Sequence, residues 1–295
     1  MEHGYFEVDV FAAEPFSGNP LAVVADAGDL STEQMQRIAN WTNFSETAFI
    51  LPATKPQADY RLRIFTPFEE LLFAGHPTLG TARTWRELGN EPQVRGEIIQ
   101  ECGLGLVTVR EEAIRNADEE KQTIFSFATP PQRRSGPLSD DELAAACRSL
   151  NIDAFAVIEH AWADNGPGWC ILQLRDADAV RSVHPASDRI PRVGIVGLED
   201  DPAPGEALYE VRAFTAEFED PVTGSFNGCV AQFLRERELV PHSYTCQQGS
   251  QLGRAGIIHV FDDGQEIWIG GSVDIRVTGT LNSHRPNRDL GEGNP

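Results

Sequence analysis

An internal repeat is the feature that most constrains the fold of this chain. The segment RIFTPFEELLFAGHPTLGTA (63–82) aligns without a gap to RAFTAEFEDPVTGSFNGCVA (212–231), at an offset of 149 residues. Six of the twenty aligned positions are identical, whereas about one would match by chance at typical residue frequencies. Since the offset is close to half of the 295 residues, we expect two copies of one structural unit.

Each copy carries the same kind of junction in the middle of the repeat. Strand-like residues lead into a glycine, Gly75 in the first copy and Gly224 in the second, and a helix-like stretch follows. Pro77 suits position N1 of a helix, which needs no N–H donor, so the first helix is predicted from about Pro77 to Leu88. Two facing units would bring both helix N-termini into one cleft between them, where ligands preferentially bind.

Short strands surround these helices in the predicted fold. Ser31 followed by Gln34 forms a capping box, which predicts a helix through about Trp41. Residues 112–121 are acidic and polar, and they predict a linker or a hairpin edge. Short or alternating hydrophobic runs predict strands at 5–11, 20–26, 47–52, 59–67, 96–101 and 104–110.

The chain is therefore predicted to be an α+β protein made of two β-rich units, each wrapping a central helix. We place the N-terminal domain at 1–118, the C-terminal domain at 119–285 and a tail at 286–295. No run of about 18 apolar residues predicts a membrane span. The acidic, strand-like N-terminus is unlike a signal peptide, so a cytoplasmic protein is expected.

Charge and cysteine usage exclude several classes of function. The formal net charge of -21 argues against nucleic-acid binding, since a polyanion is repelled. Only two lysines occur among the 24 basic residues, which fits either an acidic surface with a compositional bias or adaptation to high salt. Five scattered cysteines without a C-x-x-C pair indicate reduced thiols and no structural zinc.

The two junctions carry different polar residues at matching positions, His76 and Ser225. Unpaired N–H groups at two facing helix N-termini offer a seat for a substrate carboxylate, and Gly75 and Gly224 allow a close approach of the backbone. The difference between the two copies predicts an asymmetric site. The alternative for His76 is a purely structural role in capping the helix.

Two carboxyl groups are candidates for proton transfer. Asp220 precedes the second junction in EDPVTGS, where it is otherwise an ordinary turn residue. Glu46 lies in NFSETAFI, where it either belongs to a capping arrangement or borders an apolar strand that raises its pKa. Cys102 in ECGLG looks like a racemase cysteine motif, but a strand follows it, so we interpret it as a packing or strand-edge residue. Cys229 is expected inside the second helix as a small buried residue.

The sequence contains no motif for nucleotides, flavins or metals. It has no G-x-x-x-x-G-K-[ST], no G-x-G-x-x-G after a strand, no H-E-x-x-H and no metal-ligand spacing among its seven histidines. An enzyme that works without a cofactor or metal is therefore expected.

Several segments together resemble the PhzF phenazine-biosynthesis-like family, and the resemblance covers almost the whole chain in order. They are FSGNPLAVV, NFSETAFI, RIFTPFEELLFAGHPTLGTA, EDPVTGS, QGSQLGR and WIGGSV. The resemblance implies a fold like that of diaminopimelate epimerase, with two β-barrel-like sheets around central helices. It also implies a homodimer and cofactor-free isomerisation of trans-2,3-dihydro-3-hydroxyanthranilate in the phenazine-making members.

The resemblance also assigns roles to residues of this chain. It puts the catalytic glutamate at Glu46, the histidine at His76 and the aspartate at Asp220. The substrate-binding serine falls at Ser225, and the junction glycines are Gly75 and Gly224. This chain departs from the family at Leu72, where many relatives have proline, and at Phe226, whose ring either narrows the cleft or packs away from it.

We therefore expect a cofactor-independent isomerase in which Glu46 shuttles a proton on a small, cyclic, carboxylate-bearing substrate. Two alternatives stay open at this point. One is a binding protein of the same family that has lost turnover. The other is an amino-acid epimerase of the same fold, although two-thiol racemisation is disfavoured because His76 and Ser225 stand where epimerases have cysteines.

Overall fold

The computed structural model describes residues 1–115, 121–190 and 192–283. Five α-helices lie within these ranges: α1 (Thr32–Thr42), α2 (Gly75–Glu87), α3 (Asp140–Leu150), α4 (Ala177–Arg181) and α5 (Gly224–Arg235). Short 3-10 helices occur at Ala27–Asp29, Ala154–Ala156 and Ser250–Leu252. The strands are β1 (Glu2–Val10), β2 (Asn19–Val24), β3 (Thr47–Leu51), β4 (Tyr60–Phe65), β5 (Glu70–Leu71), β6 (Glu97–Cys102), β7 (Gly105–Arg115), β8 (Lys121–Ala128), β9 (Arg134–Gly136), β10 (Val157–Asp164), β11 (Cys170–Leu174), β12 (Val193–Leu198), β13 (Ala207–Phe214), β14 (Glu219–Asp220), β15 (Ser243–Gln248), β16 (Gly256–Asp262) and β17 (Ile267–Asn282).

Eight strands close into a barrel around α2. The pairing runs β1–β2–β3–β4–β6–β7–β8–β17 and returns to β1. The central helix lies against every strand of this ring. Ten of its thirteen residues are consequently buried, including polar Thr78, Thr81 and Thr84. A helix enclosed in this way must be apolar or small on all sides, which explains the Gly, Ala and Thr content of α2.

The second half repeats the strand order of the first. Its pairing runs β9–β10–β11–β12–β13–β15–β16–β17. The parallel pairs β11–β12 and β13–β15 correspond to β2–β3 and β4–β6 of the barrel. Helix α5 occupies the place of α2, and nine of its twelve residues are buried. The long strand β17 pairs with β16, β8 and β1, and so joins the two units.

Identical residues of the repeat make the same contacts in both halves. Arg63 and Arg212 each donate two hydrogen bonds to the carboxylate seven positions later, at 2.6–2.7 Å and 2.8 Å. Each guanidinium also lies 5.1 Å from the ring of the phenylalanine two positions on. The internal repeat is therefore a structural duplication, and the predicted α+β architecture of two units around central helices is confirmed.

The predicted local elements agree with the structure except at their ends. Ser31 caps α1 with the expected capping box. Helix α2 begins at Gly75, two residues earlier than predicted, so Pro77 occupies N3 and His76 occupies N2. The helix starts earlier because Ala74, in extended conformation, is its N-cap.

Of the two predictions for residues 112–121, a linker or a hairpin edge, the described part supports the hairpin. Strand β7 continues through Arg115 and pairs in antiparallel register with β8, which begins at Lys121. Residues 116–120 are outside the described ranges, and so is the predicted domain boundary at 118/119. The predicted tail 286–295 is likewise outside them, and the domain division stays a prediction. No helix within the described ranges is long and apolar enough to cross a bilayer.

Candidate active site

The two central helices meet at their N-termini. An ideal Cβ built on Gly75 would lie 3.1 Å from the Cα of Gly224, and one built on Gly224 would lie 3.2 Å from the Cα of Gly75. Such spacing is tighter than ordinary van der Waals contact, so it favours glycine at both positions and is consistent with the repeat of the junction glycine. The predicted convergence of both helix starts is confirmed. Neither N-cap side chain, of Ala74 or Thr223, caps its helix, so the first N–H groups are left for other partners.

His76 and Glu46 face each other beside the helix contact. The His76 side chain is on α2 and the residue is only 4% exposed, whereas the Glu46 side chain, just before β3, is 18% exposed. Nε2 of His76 lies 3.5 Å from Oε2 of Glu46. Neither buried atom has a hydrogen-bond partner among the described residues. Orphaned polar atoms of this kind are costly unless a ligand or water satisfies them.

Asp220 is held from several directions. Its Oδ1 accepts a hydrogen bond from Nδ2 of Asn19 at 2.9 Å, and its Oδ2 accepts one from the Thr223 hydroxyl at 2.6 Å. Nε2 of Gln248 donates to its backbone carbonyl at 2.9 Å. The Asn19 amide also lies 3.4 Å from Nδ1 of His76. Asn19 therefore stands between the aspartate and the histidine, and the three predicted acid–base residues form one cluster.

Burial shifts the titration of all three groups towards their neutral forms. It raises the pKa of Glu46 to about 7. The pKa of Asp220 rises to about 6, because of burial first and the charge of Glu46 second. Burial lowers the pKa of His76 to about 4, although the charge of Asp220 acts in the opposite direction. Near neutral pH the imidazole is uncharged, and Glu46 can both take up and release a proton.

Ser225 occupies N2 of α5, the position that His76 occupies in α2. Its Oγ accepts a hydrogen bond from Nε1 of Trp169 at 3.0 Å. Its backbone carbonyl accepts one from Nδ2 of Asn165, also at 3.0 Å. The two equivalent positions thus have opposite surroundings, one among carboxyl groups and the other among N–H donors. The site is asymmetric, as the sequence predicts.

Phe226 packs away from the cleft. It is fully buried, its ring centroid lies 5.1 Å from that of Trp169, and its ring fills the space beside Gly194. A Cβ on Gly194 would lie 2.0 Å from the ring. Of the two interpretations that the sequence leaves open, the structure supports packing, and the aromatic residue does not narrow the site.

The cysteines do not form a pair at the helix contact. All five thiols are free, Cys229 is buried within α5, and Cys102 lies at the end of β6. Burial raises the pKa of Cys102 and that of Cys229. Among the described residues there is no group of three or more histidine, cysteine or acidic side chains placed to hold a metal ion.

Sequence reasoning missed five residues that support the cluster. Asn19 is within the FSGNPLAVV segment, and Gln248 is within QGSQLGR, but neither spacing indicates which side chain it reaches. The only sequence signal at Thr223 is its position directly before the predicted second helix. Asn165 and Trp169 belong to DNGPGW, whose turn signals predict a hairpin without indicating its target.

The site is defined by its orphaned polar atoms rather than by the size of a cavity. A surface groove of about 850 Å³ runs along α1, the middle of β1 and the end of β17, and it is lined by none of the predicted site residues. The helix contact instead combines open backbone N–H groups with a neutral imidazole and a carboxyl group that titrates near neutrality. This combination suits the binding of a small anion and the movement of a proton on it.

Comparison with known proteins gives consistent matches over nearly the full chain. The profile of the phenazine biosynthesis-like (PhzC-PhzF) family matches residues 8–279. "Antisense-enhancing sequence 1" of Schizosaccharomyces pombe is 35% identical, over 94% of this chain and 98% of that protein. The trans-2,3-dihydro-3-hydroxyanthranilate isomerase of Pseudomonas aeruginosa is 32% identical, over 89% and 91%. A PhzF-family structure from Bacillus anthracis superposes with a TM-score of 0.80 at 23% identity, over 96% and 99% of the two chains.

Proposed function

The chain belongs to the PhzC-PhzF family and is an isomerase, and from this premise we propose that Glu46 moves a proton within a small, cyclic, carboxylate-bearing substrate. The proposed substrate class is that of trans-2,3-dihydro-3-hydroxyanthranilate. In the proposed step Glu46 takes a proton from one ring carbon, the C–H electron pair shifts the double bond, and the proton returns at another carbon. Such an isomerisation is redox-neutral and balances without a co-reactant.

One observation carries the proposal. The Glu46 side chain, 18% exposed, lies beside the contact of two helix N-termini with its Oε2 buried and unpartnered among the described residues, and desolvation raises its pKa to about 7. A general acid–base works best when its pKa lies near the working pH. Oε2 lies 3.5 Å from Nε2 of His76, so a proton on the carboxyl group is next to a second group that can exchange it.

The proposed seat of the substrate carboxylate is the pair of helix N-termini. N–H groups at a helix start carry partial positive charge and bind anions without a cationic side chain. Gly75 and Gly224 let the ligand approach both backbones closely. We assign the Ser225 hydroxyl to the same seat.

His76 and Asp220 are proposed to position the ring and to relay protons. The neutral imidazole can donate from one nitrogen and accept at the other, which suits a shuttle between Glu46 and the substrate. Asp220 reaches the imidazole through Asn19. A two-thiol racemisation lacks the necessary pair, since Cys229 is buried in α5 and Cys102 ends β6.

The deciding experiment is the isotope-exchange behaviour of Glu46→Gln. In D2O the wild type is expected to convert trans-2,3-dihydro-3-hydroxyanthranilate and to place solvent deuterium in the product. The variant should lose kcat by about 10²–10⁴-fold, because it removes the proton-transfer group. Glu87→Gln, at the exposed C-terminal end of α2, is the matched control and should keep full turnover.

Other outcomes discriminate the alternatives. Full turnover by E46Q would rule out Glu46 as the acid–base. A wild type that binds the compound and never exchanges deuterium would indicate a binding protein that has lost turnover. Inversion at one carbon with an unmoved double bond would indicate an epimerase. Homodimer formation and a cytoplasmic location remain predictions, tested by light scattering and by fractionation.

A further inference from the structure

The turn between β10 and β11 is built to deliver two side chains to the start of α5. Oδ1 of Asp164 accepts hydrogen bonds from the N–H groups of Gly166 and Gly168, both at 2.7 Å. Both glycines have positive φ, 143° and 90°, which other residues rarely adopt. The turn is thereby fixed in one shape, and Asn165 and Trp169 are its buried residues, at 4% and 3% exposure.

These two side chains hold Ser225 at separate atoms. Nδ2 of Asn165 donates to the serine carbonyl, and Nε1 of Trp169 donates to the serine hydroxyl, each at 3.0 Å. An indole N–H is only a donor, so the hydroxyl oxygen must be the acceptor in this bond. No acceptor for the hydroxyl's own hydrogen is assigned within the described part of the chain, and Ser225 is only partly buried.

We propose that Trp169 is a positioning residue that turns the Ser225 hydroxyl into a hydrogen-bond donor directed at the cleft. With one lone pair occupied by the indole, the hydroxyl presents its hydrogen to whatever is bound at the helix contact. This end of the cleft therefore selects an acceptor oxygen, and a carboxylate is the strongest acceptor of that kind.

The arrangement also sets the direction in which a ligand lies. Around His76 the neighbouring groups are the carboxyls of Glu46 and Asp220, which repel a carboxylate when ionised. Around Ser225 they are the N–H groups of Trp169 and Asn165. The carboxylate of a ligand therefore binds at the serine end, and its reacting carbons face Glu46. This inference rests on the proposed function only in taking the helix contact as the binding cleft.

Binding of a non-reacting aromatic carboxylate tests the inference. The probe is anthranilate, titrated into the full-length chain by calorimetry. Ser225→Ala should weaken binding by about 10–100-fold, the effect of one hydrogen bond to a charged group, and Trp169→Phe should weaken it by up to the same factor. The double variant should bind no more weakly than Ser225→Ala, because Trp169 acts only through the Ser225 hydroxyl. Additive losses in the double variant would overturn the inference and leave Trp169 a packing residue.

A matched control and a direct readout guard against a folding defect. Trp162 lies in the same hairpin, and its indole donates to Glu142, so Trp162→Phe should leave anthranilate binding unchanged. The NMR signal of the Trp169 indole N–H should shift in Ser225→Ala, which keeps the tryptophan. An unshifted signal would overturn the inference even if Trp169→Phe failed to fold.

The outcomes separate this inference from the proposed reaction. Anthranilate does not react, so its binding does not depend on turnover. In one outcome, the wild type binds anthranilate, Trp169→Phe weakens that binding, and the wild type never exchanges deuterium. That result would contradict the proposed proton transfer by Glu46 and support the positioning role of Trp169. Turnover by the wild type, together with anthranilate binding that is unchanged in Trp169→Phe, would support the proposed proton transfer and contradict the positioning role of Trp169. No binding of anthranilate by the wild type at millimolar concentration would also overturn the inference.

Discussion

Nε2 of His76 lies 3.5 Å from Oε2 of Glu46, and both atoms lack a hydrogen-bond partner among the described residues. Two buried polar groups that face each other without bonding destabilise the folded state. The fold tolerates the pair because its interior is otherwise well packed, with α2 enclosed by the barrel. Such unfavourable local arrangements are typical of sites that are completed by a ligand.

The pH dependence of stability should reveal the burial of Glu46. A raised pKa means that the folded chain holds a proton that the unfolded chain releases at lower pH. The associated stability is fully present below the unfolded pKa near 4.5 and is lost as the pH rises through about 7. Glu46→Gln stays neutral, so at pH 8 its free energy of unfolding should exceed that of the wild type by about 1–3 kcal/mol.

Urea unfolding at pH 5 and pH 8 measures this difference. The excess in the free energy of unfolding of E46Q over the wild type should be smaller at pH 5. Asp220 and His76 are present in both proteins, so their titration occurs in both. Glu87→Gln, at an exposed ion pair, should change stability equally at the two pH values. A gain for E46Q that is the same at pH 5 and pH 8 would contradict a raised pKa of Glu46.

The glycine contact between the helices should tolerate no side chain. A Cβ on Gly75 would lie 2.8 Å from Cζ of Phe127 and 3.1 Å from the Cα of Gly224. Gly75→Ala must therefore push α2 and α5 apart or displace the ring, at a cost of about 1–3 kcal/mol. Thermal melting measures the loss. The kcat of Gly75→Ala should also fall, because the proposed carboxylate seat lies between the two helix N-termini.

Gly279→Ala is the matched control for this substitution. A Cβ at Gly279 meets no atom within 4 Å, and its φ is not in the left-handed region. The control should melt within a few tenths of a kcal/mol of the wild type. Equal effects of the two substitutions would show that the cost arises from glycine replacement in general and not from the helix contact.

Asn19 should tune the acidity of Asp220. Its amide donates to Oδ1 of Asp220 and to the carbonyl of Val222, both at 2.9 Å. This hydrogen bond lowers the pKa of Asp220 and so opposes burial and the charge of Glu46. In Asn19→Ala the pKa of Asp220 should rise further, and the acid limb of the pH profile of turnover should move to higher pH.

The pH dependence of kcat/KM checks this prediction. The free energy of unfolding of Asn19→Ala should also fall by about 1–3 kcal/mol, because the carbonyl of Val222 is left unpaired. Asn40→Ala is the control, since Asn40 donates to the carbonyl of Pro67 at an exposed position. If kcat/KM of Asn19→Ala were lower at every pH but its inflection points were at the same pH values as in the wild type, Asn19 would have only a packing role.

The sequence predicts the duplication and the helix junctions, because each leaves a local pattern, whereas the assignment of Glu46 depends on the family resemblance and the six site residues stay a prediction. An offset of 149 residues relates Gly75 to Gly224 and His76 to Ser225 without any knowledge of packing. The closure of β17 onto β1 is not predictable in this way. It joins residues near both ends of the chain, and strand periodicity does not specify partners.

The supporting residues of the site escape prediction for the same reason. Trp169 and Ser225 are 56 positions apart, and Asn19 and Asp220 are 201 apart. Only the three-dimensional fold brings them within hydrogen-bond distance. The start of α2 at Gly75 rather than Pro77 is a smaller error, since Ala74 is an N-cap without a side-chain signal.

The duplicated arginines should contribute unequally to stability although they make the same ion pair. The Arg212 side chain is 4% exposed and that of Glu219 is 11% exposed, against 15% and 38% for Arg63 and Glu70. Arg212 also donates to the buried carbonyls of Val180 and Val183. Arg212→Met should therefore cost about 3–5 kcal/mol by leaving Glu219 uncompensated, and Arg63→Met about 1 kcal/mol or less. Urea unfolding compares the two variants, and equal losses would contradict the view that burial, rather than ion-pair geometry, decides the contribution.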